Sequence, residues 1–134
     1  MTFNPQNSVV WTEIPVSDMD KATAFYEAVF GYDLKLLTQG PNPMALIPSK
    51  GAAEGGFGRL FPRKFGHLYP GKGAGDGRGT TLHLAIPDTV EQAIARCEQA
   101  GGTVLSPVIS SPSGRFVYAL DLDGNSIGLY EPAP

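Results

Sequence analysis

The stretch Val9–Gly31, VVWTEIPVSDMDKATAFYEAVFG, sets the frame for everything that follows. Val9 to Val16 is rich in β-branched residues and alternates in polarity, the pattern of a strand. Pro15 near its end marks a sheet edge or a strand terminus. Asp18 is placed to cap a helix, and Ala22, Phe25, Tyr26, Val29 and Phe30 then recur three and four residues apart as one apolar stripe. Gly31 closes the helix as a left-handed cap. Glu13 is the residue out of pattern: a carboxylate inside a strand is either a working group in a site or a charge on a solvated face.

Outward from this unit, three short apolar runs follow, YDLKLL, PMALIP and GGFGRLF, separated by the turn-like TQGPN and SKGAAE. The second half repeats the order. TTLHLAIP reads as a strand; Asp88 or Thr89 caps VEQAIARCEQA, whose Val90, Ala93, Ile94 and Cys97 share a face; Gly101 and Gly102 stop it. TVLSPV, RFVYALDL and SIGLYEP then read as strands, with turns at SSPSG and DLDGN. The predicted fold is α+β, two tandem βαβββ modules in one domain, with module one at 7–61 and module two at 80–132. Each module leaves one sheet face uncovered, which the other can bury.

Between them, PRKFGHLYPGKGAGDGRG (62–79) is dense in Gly and Pro and reads as a connection. A segment of this length is a flexible join or a lid, the latter using Phe65, His67 and Tyr69. Its GKGAGDG lacks the spacing of a phosphate-binding loop.

Composition narrows the function classes. The 134 residues carry 42% hydrophobic and 17% charged side chains, ordinary for a globular domain. A net charge of −3 argues against an electrostatic grip on nucleic acid or anionic membrane. The lone cysteine, Cys97, cannot form an internal disulfide and reads as a buried thiol, so a cytoplasmic location is expected. MTFNPQNS lacks the features of a signal peptide, and no apolar run reaches the ~20 residues of a membrane span.

The helix pattern D-x-x-x-A-x-x-F-Y-x-x-x-F-G, the segment IPDTVEQAIARCEQAGGTVLSPV and the hairpin ALDLDGNSIGLYEP together resemble the glyoxalase/bleomycin-resistance/extradiol-dioxygenase (vicinal oxygen chelate) superfamily. The resemblance implies modules whose sheets curl into a cup around a small molecule, often completed in a homodimer. It also implies where a divalent metal would sit. The first-strand ligand lies seven residues before the capping Asp, which here gives Trp11 and Thr81. The last-strand ligand follows D-G-N-x-I, which gives Gly128, with Gly58 as its counterpart in module one. None of these binds a divalent metal in the ordinary way, so no cofactor is expected.

Two residues further along lie Glu13, His83 and Tyr130, with the apolar Leu60 as the fourth member. A two-residue step keeps a side chain on the same strand face, about 7 Å away. Glu13, His83 and Tyr130 are thus candidate catalytic groups for proton transfer. Trp11, Leu60, Thr81, Tyr118 and Gly128 are candidate ligand-lining positions. Glu13 on a solvated face and His83 as a hydrogen-bonded core residue are the plainer alternatives. Asp121, Asp123, Gly124 and Asn125 read as a tight turn, not a calcium site. Two functions remain open: metal-free binding of an apolar or aromatic molecule, or a lyase or isomerase using Glu13 and His83. A metal-dependent glyoxalase or dioxygenase would need ligands these positions do not offer.

Overall fold

The computed structural model describes residues 2–4, 12–38, 43–48, 64–71, 73 and 75–134. The first unit comprises β1 (Thr12–Val16), α1 (Met19–Phe30), β2 (Lys35–Leu37), β3 (Met44–Pro48) and β4 (Lys64–Pro70). The second comprises β5 (Leu82–Ala85), α2 (Val90–Gln99), β6 (Thr103–Val104), β7 (Ile109–Ser111), β8 (Gly114–Leu120) and β9 (Ser126–Pro132). The sheets run β1-β4-β3-β2 and β5-β9-β8-β6, with β7 also on β8. In both, the first strand pairs in parallel with the last, and the remaining pairings are antiparallel. The repeat read from element order is thus a repeat of topology.

One predicted boundary is corrected. Module one does not finish at residue 61: its last strand is β4, inside the stretch read as a connection. The predicted strand GGFGRLF lies outside the described residues. The glycine that makes β4 look like a loop has a packing role. A Cβ at Gly66 would stand 2.1 Å from the Thr12 carbonyl oxygen, so only glycine lets β4 lie against β1. Of the described residues beyond β4, Gly75 and Gly77 dock on the DLDGN turn. Gly75 N–H donates to the Asp123 carbonyl at 3.0 Å and Gly77 N–H to the Gly124 carbonyl at 2.8 Å.

The helices start as their caps predict. Asp18 accepts from Lys21 N–H and Gly31 closes α1 at φ 71°. Thr89, not Asp88, caps α2, in a capping box with Gln92, while Asp88 holds Arg96 through two bonds of 2.6 and 2.9 Å. The apolar stripes of both helices meet the alternate residues of both sheets in one core: Ile14 and Val16 of β1, Leu68 of β4, Leu84 of β5, Val117 and Ala119 of β8, and Ile127 and Leu129 of β9. Burying each of these isoleucine, valine and leucine side chains is worth roughly 1.5–3 kcal/mol.

The two signature motifs of the sequence are partners. Tyr26 of the helix donates its hydroxyl to Asp121 of the DLDGN turn across a buried 2.7 Å contact. Asp121 also accepts from Asp123 N–H, Asn125 N–H and the Asn125 amide, each at 2.9 Å. Asn125 in turn donates to the Pro15 carbonyl at 2.8 Å, and Ser17 N–H to Asp123 at 2.9 Å. The turn therefore fastens module two to the β1–α1 corner of module one, which accounts for its carboxylates without calcium. Among the described residues no helix is long and apolar enough to cross a membrane.

Candidate functional site

Strand parity decides which side chains face away from the shared core. On β1, Ile14 and Val16 are buried, so Glu13 and Pro15 take the other face. On β5, Leu84 is buried and His83 faces out; on β9, Ile127 and Leu129 face the core while Gly128 and Tyr130 do not. Glu13 and His83 thus occupy corresponding faces, as the two-residue step implies.

Each has a different neighbour across its strand ladder, however. Glu13 is opposite His67 in the β1–β4 register, and His67 Nε2 lies 3.1 Å from Glu13 Oε2. His83 is opposite Gly128 in the equivalent β5–β9 register. So the module-one counterpart of Gly128 is His67, not Gly58, and the counterpart of Tyr130 is Tyr69 (opposite Pro15), not Leu60. Trp11, Gly58 and Leu60 lie outside the described residues. His67, which the sequence suggests only as a lid residue, is the missed partner.

The Glu13–His67 contact is asymmetric. The His67 side chain is 7% exposed and that of Glu13 61%. Burial lowers the His67 pKa, and the Glu13 carboxylate offsets only part of that, so the imidazole is neutral at pH 7 and donates a hydrogen bond. Glu13 presents its carboxylate outward.

His83 sits among rings. Its centroid is 5.1 Å from that of Phe116, 5.5 Å from Tyr118 and 6.0 Å from Tyr130, edge-on to each. Phe116 and Tyr130 lie nearly parallel, 5.8 Å apart at 14°. Such arrangements suit the ring quadrupoles and leave π faces for a planar guest. Burial lowers the His83 pKa as well. The Tyr130 hydroxyl meets that of Ser113. Phe116 was legible from parity, two residues from Tyr118 on the same strand face. His83 also borders a cleft of about 870 Å³ formed with Phe30, Tyr32, Ile47 and Pro48.

The donor set does not fit the divalent metal that the resemblance implies. A Cβ at position 128 would fall 1.9 Å from His83 Nδ1, so the imidazole fills the volume that a ligand side chain there would need. Thr81 is engaged with the Ser126 hydroxyl at 2.5 Å. Among the described residues no three His, Cys, Asp or Glu side chains converge.

Known proteins share this architecture. No curated protein matches the chain in sequence. TnmS3, an antibiotic binding protein from Streptomyces sp. CB03234, is 28% identical, with TM-score 0.54 over 98% of this chain and all of its own. A glyoxalase/bleomycin resistance protein from the same strain is 29% identical, with TM-score 0.57 over 90% of this chain and 97% of its own. The fosfomycin resistance protein FosX from Listeria monocytogenes has TM-score 0.61 over 98% of this chain and 96% of its own, and at 16% identity it shares the fold alone. With a family match running over residues 8–129, two modules of one topology and both signature motifs in place, this chain belongs to the glyoxalase/bleomycin resistance protein/dioxygenase superfamily.

Proposed function

We propose that the protein binds a small apolar or aromatic molecule against the face of module two, without using a divalent metal. The observation that carries this reading is the cluster of His83, Phe116, Tyr118 and Tyr130 on the sheet face turned away from the core. Tyr118 is 36% exposed, so part of this ring surface is open to a guest. The antibiotic-binding description of a 28% identical neighbour agrees with it. In this reading a second copy of the chain completes the cup, which sedimentation velocity tests directly. Equilibrium dialysis against a panel of planar aromatic compounds should show saturable retention that EDTA does not change and Phe116→Ala weakens. Absence of retention across the panel, or its loss with EDTA, would count decisively against the proposal.

A second reading rests on the 3.1 Å contact between His67 and Glu13. A solvent-facing carboxylate oriented by a buried imidazole suits a general base, as a lyase or isomerase acting beside a carbonyl requires. His67 then takes the role first expected of His83. Deuterium exchange at carbons next to a carbonyl, followed by NMR and abolished in Glu13→Gln, is its expected signature. No exchange with the wild-type protein over a range of ketones and aldehydes would rule it out.

A further inference from the structure

The seam between the two modules holds a pocket of about 260 Å³, bordered by β1 and by the starts of β5 and β9. Glu13 is the only charged residue among the described residues that line it, and no lysine or arginine is among them. The same pocket is lined by the hydroxyls of the Thr81–Ser126 pair, and every hydroxyl retains acceptor capacity. His67 fixes the carboxylate without cancelling its charge, because the imidazole is buried and neutral. This is a lining built to accept hydrogen bonds around a single negative charge.

The seam also adjoins the aromatic face. Thr81 precedes His83 and Ser126 precedes Gly128 by two residues, so the pocket wall continues into the ring cluster on one face, about 7 Å away. We propose that the ligand is a cationic aromatic: a planar ring system against His83, Phe116 and Tyr130, carrying a protonated amine that reaches Glu13 in the seam. The inference rests on the aromatic-face reading above and adds the charge and its counter-ion.

Three fluorescent probes with the same ring and chain test it: pyrenylbutylamine, pyrenylbutanol and pyrenylbutyrate, titrated at pH 7 into the full chain. The amine should bind about fivefold more tightly than the alcohol, the scale of a partly exposed ion pair, and the butyrate more weakly than either. Raising the salt should shrink that preference. Glu13→Gln should bring the amine down to the alcohol's affinity and leave the alcohol unchanged, whereas Phe116→Ala should weaken all three. Equal affinities for amine and alcohol in the wild type, or an amine preference that survives in Glu13→Gln, would overturn the cationic assignment while leaving the aromatic face intact. Failure of all three probes to bind would overturn both.

Discussion

The two modules place the same pair of strands side by side in the same register and then furnish them differently. In module one the first strand supplies an acid and the last a histidine, Glu13 and His67, and the two join at 3.1 Å. In module two the first strand supplies the histidine and the last supplies Gly128, so His83 faces no side chain across the ladder and lies over the gap among Phe116, Tyr118 and Tyr130. One slot has become a charged edge and the other an aromatic surface. A repeated fold can thus divide recognition between its copies, since topology fixes the slot and single side chains fix its chemistry.

The sharpest way to break this comparison is to disturb the strand pairing of module one. Gly66→Ala puts a Cβ against the Thr12 backbone, which no side-chain rotation relieves. The expected destabilisation is about 3 kcal/mol in urea unfolding, and Glu13 should separate from His67 as the strands part. A near-neutral outcome would mean that β4 does not approach β1 this closely. Next in size is Tyr26→Phe, which removes one donor from the buried Asp121 carboxylate and should cost about 2 kcal/mol. Because that bond joins the modules, unfolding should stay a single transition with a lower midpoint. Two separate transitions would show that the modules are independent units.

The difference between the modules was half legible in the sequence. Parity and the spacing to Asp18 and Asp88 sufficed to put Glu13 and His83 on corresponding faces, because a strand's period of two is a local property. The partner of Glu13 was hidden for a tertiary reason. KFGHLYP carries a glycine and ends in proline, both of which read as turn chemistry, yet Gly66 is there because β1 passes over it. The glycines of the following segment, by contrast, are the turn chemistry they read as: Gly75, Gly77 and Gly79 stand at φ 82°, 78° and 94°, where glycine is favoured. What the sequence hides there is on the other side of the contact: a Cβ at Gly124 would stand 2.3 Å from the Gly75 backbone, so Gly124 is the position that the close approach requires to be glycine. The DLDGN turn was read correctly as a turn, but its role as a fastener depends on Tyr26, 95 residues away.

Module two offers a milder test. Gly128→Ala meets the His83 ring rather than backbone, and His83 is exposed enough to swing aside. The expected cost is about 1 kcal/mol. Adding His83→Ala should recover most of it, an interaction that a double-mutant cycle measures. Planar probes should bind differently to the single variant, whose ring cluster is displaced. Additive effects of the two substitutions would mean that the ring does not occupy the space above Gly128.

The smallest effect separates the histidines by pH. Both have pKa values lowered in the folded chain by burial, below about 6.5 in the unfolded one. Between the folded and unfolded values the unfolded chain binds more protons, so stability rises with pH across that window. The contribution is complete above about pH 6.5 and disappears as pH falls through the folded values. Only His67 has a carboxylate opposing the shift, since Glu13 raises its pKa against the burial. Following the imidazole Cε1 protons by NMR, Glu13→Gln should therefore move the His67 titration to lower pH and leave His83 where it was. Equal movement of both would put Glu13 within reach of His83 and dissolve the distinction between the two slots; movement of neither would remove Glu13 from His67.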